Sequence, residues 1–133
     1  MESTSALNVV RQYFDALAAK DFGAVAALWA ADIVWHQPGH NQFSGTHNGA
    51  GSVGETIGGM MTVSQGSFDL TLVGSPMANG NLVAAPVHFA AQREGSSMSM
   101  DGVDLLRIDG GQIAEVFLFS ADEQAEDAFW GQG

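Results

Sequence analysis

The chain lacks cysteine altogether and is poor in cations. Its 133 residues hold 4 Lys plus Arg against 15 Asp plus Glu, a formal net charge of -11. Without thiols there is no disulfide, no thiolate nucleophile and no thiolate metal ligand, and the redox compartment stays unmarked. Without clustered cations there is no electrostatic footprint for nucleic acid, whose binding rests on neutralised phosphates. A basic amphipathic face for an anionic membrane is missing for the same reason. No apolar run approaches the ~20 residues of a membrane span. The opening Met1-Glu-Ser-Thr-Ser5 is polar and acidic, unlike a secretory leader, so the expectation is a cytoplasmic protein. The surplus of acid serves solubility. With 46% hydrophobic residues the chain can bury the core of one domain, 1–133.

What is present changes period once. Thr4 or Ser5 can cap a helix with Leu7, Val10, Phe14 and Leu17 on one face. Asp21 can cap a second, from Phe22 to Ala30. A short strand, Asp32 to His36, stops at Pro38-Gly39. A third helix fits Gly49 to Met61, but its five glycines predict a short, irregular or mobile element, since each interior glycine costs ~1 kcal/mol against alanine. Beyond Ser67 the pattern becomes strand-like: Ser67–Met77, Asn81–Arg93, Ser99–Ile108 and Gln112–Phe119. Asn79-Gly80, Glu94-Gly95-Ser96-Ser97 and Asp109-Gly110-Gly111 separate them as hairpin turns. Helices first and an antiparallel meander afterwards indicate an α+β fold. Ser120, Asp122 and Glu123 form a capping box for a last helical turn that packs Phe129 and Trp130 back on the body.

In this order, Val10-Arg-Gln-Tyr-Phe14, Ala26-Ala-Leu-Trp-Ala30, Val34-Trp-His-Gln-Pro-Gly39, Ser44-Gly-Thr46, Gly102-Val-Asp-Leu-Leu-Arg-Ile108 and Gly111-Gln-Ile-Ala-Glu115 carry a resemblance. The chain resembles the SnoaL-like and ketosteroid-isomerase-like proteins of the nuclear transport factor 2-like superfamily. The resemblance implies a cone-shaped α+β barrel: a curved, mainly antiparallel sheet wrapped around three helices, with a pocket at its open end. It does not imply one reaction, because the superfamily hosts isomerases, cyclases, dehydratases, epoxide hydrolases and binders. Tyr13 and Asp104 match the two donors that ketosteroid isomerases aim at a developing enolate oxygen; that enzyme is the standard example of a carboxylic acid kept neutral by an apolar site. The isomerase's base carboxylate falls at or beside Gln37, which takes no proton. The aspartate of the cyclases and of the limonene-epoxide-type hydrolases falls near Leu118, which is inert.

The residues themselves offer other bases. If the second hairpin turns about Ser96, His88 faces Asp104, with Cβ atoms ~5 Å apart. By alternation His88, Ala90 and Gln92 would share a face with Gly102, Asp104 and Leu106. An aspartate oriented on an imidazole fixes its tautomer and strengthens it as a base. The competing reading is a structural pair on the solvated face. His36, at the end of its strand, is the second candidate base, or else a residue that fixes the following loop. His40 and His47 fall in a solvated loop. Trp35, Gln37, Phe43, Met60 and Phe117 are the expected substrate-binding wall. His36-x3-His40 spans Pro38-Gly39, which prevents a helix, so no metal site and no cofactor are expected.

The expected function is cofactor-independent acid–base chemistry, of isomerase, cyclase or dehydratase type. The substrate would be a hydrophobic oxygenated small molecule such as a polyketide, terpenoid or steroid-like compound. His88 would be the base, oriented by Asp104, with Tyr13 as oxyanion donor and His36 assisting. A binding or assembly module is the alternative, and an epoxide hydrolase a third. A homodimer is expected through the outer sheet face, with Val73, Val87, Phe89, Leu105 and Phe117 as its apolar contacts.

Overall fold

A computed structural model describes residues 2–132 of the chain. The elements run α1 (Glu2–Ala18), α2 (Phe22–Ala27), β1 (Trp29–Gln37), β2 (Gly45–Asn48), α3 (Ala50–Val63), β3 (Asp69–Leu72), β4 (Met77–Asn79), β5 (Leu82–Arg93), β6 (Ser96–Asp109), β7 (Gln112–Ser120) and α4 (Glu123–Trp130). One curved, unclosed sheet takes the order β2-β1-β7-β6-β5-β3, with β4 also on β5. All its pairings are antiparallel except β1 with β7. The helices and the concave face of the sheet enclose the core, as the α+β cone requires.

The helices form because their apolar residues recur at helical spacing. Ala6, Val10, Tyr13 and Phe14 make the buried stripe of α1. That helix already runs through Thr4 and Ser5, so neither residue caps it. The Asp21 side chain does cap α2, accepting from the Ala24 N–H at 3.1 Å. The glycine-rich α3 is one continuous helix of 14 residues, more regular than its composition suggests. Packing overrides propensity here: Val53, Thr56 and Met60 lie on one buried face. At Gly59 a Cβ would stand 2.8 Å from the Phe43 ring, so at that position the missing side chain is what lets helix and loop approach.

Alternation sets the sheet. Val83, Ala85, Val87, Phe89 and Ala91 point inward from β5, and Met98, Met100, Asp104, Leu106 and Ile108 from β6. The hairpin between them is tighter than its sequence suggested. Arg93 pairs with Ser96, leaving Glu94-Gly95 as a two-residue turn with Gly95 at φ 79°. The whole ladder is therefore displaced by three residues from the expected register: His88 opposes Asp101, and Asp104 opposes Ala85. An odd displacement exchanges faces, because the side-chain period is two. Asp104 thus faces in and His88 out. The same alternation corrects the expected dimer contacts. Val87 and Phe89 are core residues, while Val73, Leu105 and Phe117 are not.

Candidate active site

A cleft of about 550 Å³, including its open mouth, enters the concave side of the sheet. Its walls are mostly apolar, with Leu17, Ile57, Met60, Phe68, Leu70 and Phe89 among them. Four elements bring polar groups to it: Tyr13 from α1, Trp35 and Gln37 from β1, Asp104 from β6, and Glu126 from α4, joined by Ser120 at the end of β7. No Lys, Arg or His is among the lining residues.

Asp104 is 4% exposed, and among the described residues its carboxyl finds no hydrogen-bond donor. Burial, and then the Glu126 charge, push its pKa up to about 7. The carboxyl thereby keeps its proton below about pH 7, well above the ordinary carboxylate range. Tyr13 is 2% exposed, and burial followed by repulsion from Asp104 holds its phenol protonated far above the ordinary range. The Trp29 indole N–H pulls the other way on Tyr13. That N–H is the one enclosed side-chain polar atom without a partner among the described residues. Gln37 accepts from Trp35 Nε1 at 3.0 Å, which fixes its carbonyl oxygen in the cleft wall. Neutral donors in an apolar cleft can meet an oxygen of a ligand.

Glu126 has the opposite surroundings. It is 3% exposed, yet both its oxygens are held: Ser120 Oγ donates to Oε1, and Trp130 Nε1 donates to Oε2 at 3.1 Å. Burial, helped by Asp127 and Glu123, raises its pKa above the ordinary carboxylate range, and these two donors offset part of that rise. The helix that carries it is pinned from three sides. Arg93 Nε donates to the Phe129 carbonyl at 2.9 Å, Gln42 Nε2 to the Trp130 carbonyl at 2.7 Å, and Asn41 Nδ2 to Asp127 Oδ1 at 2.8 Å. Asp122 caps α4 by accepting from the Ala125 N–H at 3.0 Å. Ser120, assigned to the cap by its spacing, instead serves Glu126. The signal for Glu126 was available in the sequence: it lies three and four residues before Phe129 and Trp130, on the same face of the helix.

The structure brings Tyr13, Asp104, Trp35, Gln37 and Met60 to one cleft. It separates both histidines from them. His88 lies on the outer face, bonded through Nδ1 to Asp101 Oδ1 at 2.8 Å and through Nε2 to Ser99 Oγ at 2.8 Å. That connectivity resembles a nucleophile–base–acid triad, but the His88 and Asp101 side chains are 38% and 75% exposed, and water screens the pair. The expected His88–Asp104 pair is absent because of the register displacement. His36 also points outward, since Trp35 and Gln37 take the inward positions of β1. Its ring bonds Glu115 Oε2 at 2.7 Å and Thr46 Oγ1 at 3.2 Å, and stacks on Phe117 at 4.3 Å between centroids. Phe117 is therefore a wall of the outer face, not of the cleft. Phe43 packs edge-on against Trp130 behind the cleft. His47 is not loop-solvated: it sits in β2 and bonds the Phe43 carbonyl at 2.7 Å.

The SnoaL-like domain family matches residues 10–116, and the chain belongs to that family. A protein of unknown function with a cystatin-like fold from Xanthomonas campestris is 43% identical, with TM-score 0.92 over 96% of this chain and 98% of its own. TerC, co-crystallised with polyporic acid, is 16% identical, with TM-score 0.82 over 94% of this chain and 97% of its own. A candidate polyketide cyclase from Xanthomonas campestris pv. campestris is 21% identical, with TM-score 0.73 over 98% of this chain and 100% of its own. The last two show the shared fold alone. No curated protein matches the chain. No helix among the described residues is long and apolar enough to cross a membrane.

Proposed function

We infer that this protein is a cofactor-independent acid–base enzyme acting on an uncharged, apolar, oxygenated small molecule. Tyr13 and Asp104 donate hydrogen bonds to an oxygen that gains negative charge during the reaction. The observation that carries the reading is the Asp104 carboxyl, buried beside a phenol in an apolar cleft with no protein donor of its own. Such donors cost no reorganisation at the moment of reaction, and that is usually the largest catalytic contribution. Trp35, Gln37, Met60, Phe68 and Phe89 form the wall against a flat ligand. The structural relatives named for polyporic acid and for polyketide cyclisation support an oxygenated ring compound as the substrate class.

A donor pair of this kind should hold a phenol, whose oxygen mimics an enolate. Titration with 2-naphthol, followed by its fluorescence, tests this. Tyr13→Phe and Asp104→Leu should each weaken binding about tenfold, near the worth of one hydrogen bond. Unchanged binding in both variants sinks the reading. A pure binding module is the second reading, favoured by the outward histidines and by Gln37 and Leu118 where relatives of this family place a base. Tight binding of oxygenated rings without turnover of any would favour it.

The same reading includes a homodimer through the outer face. Val103 pairs across the sheet with Phe119, and Leu105 with Phe117, giving an apolar patch in which Val103 and Phe119 are 40% and 55% exposed. A monomer by light scattering at tens of micromolar would remove the dimer from the proposal.

A further inference from the structure

We propose that Glu126 is the proton-transferring group of this cleft, acting as the base opposite the Tyr13–Asp104 donor pair. This deepens the reading above and rests on it. The cleft holds two carboxyls and no cation, and their surroundings differ. Glu126 receives a donor on each oxygen, from Ser120 and Trp130, an arrangement that stabilises the anion. Asp104 receives none, and faces the Glu126 charge. Of two neighbouring acids in a dry site, the one with donors ionises and the one without keeps its proton. Glu126 is thus the acceptor and Asp104 the donor. The other ionisable groups near Glu126 are Tyr13 from α1, and Glu123 and Asp127 on its own helix. All are acidic; the cation packed on α4, Arg93, is engaged with the Phe129 and Ala128 carbonyls. Asp127 is turned to the loop, accepting from the His40 N–H at 2.8 Å and from Asn41.

The chemistry closes without a co-reactant. The Glu126 carboxylate takes a proton from a carbon next to a carbonyl. The C–H bond breaks, an O–H bond forms on Glu126, and the electron pair moves to the carbonyl oxygen held by Tyr13 and Asp104. Return of that proton to another carbon of the conjugated enolate gives an isomer. An anionic substrate would meet two acids and no cation, so the substrate is a neutral ketone or its vinylogue. Rigidity suits the role: α4 is fixed by Arg93, Gln42 and Asn41, which holds the carboxylate in place relative to the donors.

The test needs no knowledge of the natural substrate. 2-Tetralone in deuterium oxide exchanges its activated hydrogens when a base and an oxyanion site act together, and proton NMR follows the exchange. The wild-type protein should accelerate it, and Glu126→Gln should lower the rate about 100-fold. Ser120→Ala removes one donor from the carboxylate, so it should move the pH midpoint of exchange upward, a shift that a merely structural role would not produce. If Glu126→Gln fails to fold, Glu126→Asp keeps the charge but withdraws it by one methylene, and should also lose most of the exchange. Exchange unaffected by these variants overturns the proposal. So does a wild-type protein that binds the ketone without exchanging it. Failure of 2-naphthol to bind at all strikes the donor-pair reading instead, and Glu126 falls with it.

Discussion

The two faces of the sheet hold the same residue types in opposite roles. Outside, two histidines are matched with carboxylates: His36 with Glu115, and His88 with Asp101. Inside, two carboxyls and a phenol stand together with no cation. On the outside a neighbouring His and Arg draw the Glu115 pKa down, while on the inside burial draws the Asp104 and Glu126 pKa values up. The contrast teaches that a surface ion pair and a buried cleft acid are separated by desolvation more than by residue type. Water screens the outer pairs to little net energy. The dry inner cleft makes protonation state a property of the whole group of residues.

The contrast can be broken most forcefully at Trp130, which is 1% exposed and donates to Glu126. Trp130→Ala should cost about 3–5 kcal/mol of stability by denaturant unfolding. It should also abolish exchange, since the packing that dries the cleft and one donor to the base leave together.

Asp104→Asn is the next largest effect, and it reads the sign of the inner field. The folded carboxyl titrates at about 7 against 3.8 in the unfolded chain. Because the folded pKa is raised, the contribution of Asp104 is most favourable below the unfolded value and is lost as pH rises to the folded one. The loss amounts to at most about 4 kcal/mol, at 1.36 kcal/mol per unit. The variant should flatten stability between pH 4 and 7 and should be the more stable protein at pH 8. A wild-type stability that rises with pH through this window and is unchanged by Asp104→Asn would contradict the buried-acid picture.

Glu115→Gln should show the opposite slope on the outer face. Its pKa is lowered by His36 first and Arg107 after, so its contribution is present above the unfolded carboxylate value and disappears as pH falls through the folded one. The carboxylate is partly solvated, so the expected loss at pH 7 is about 0.2–1 kcal/mol. Added salt should shrink it further.

His88→Ala sharpens the comparison by doing least. A half-exposed surface side chain should change stability by no more than about 0.5 kcal/mol and leave 2-naphthol binding untouched. A large loss of binding in this variant would return the histidine to the site.

The sequence by itself determined the class of fold, because hydrophobic period is a local property. Helical spacing through Tyr13, strand alternation beyond Asp69 and glycine turns at 80, 95 and 110–111 are written residue by residue. Tyr13 and Asp104 were legible as neighbours in one cleft through the motifs around them. What only the tertiary structure decided was which face each side chain takes. One hairpin, tighter by three residues than expected, moved His88 outside and left Asp104 in the cleft. Glu126 became a candidate base only when α4 folded back over the mouth of the sheet and Ser120, six residues earlier, closed on it. Register and long-range closure depend on how turns and packing sum over the chain, and acidity in a dry cleft depends on neighbours that the sequence places more than 20 residues apart.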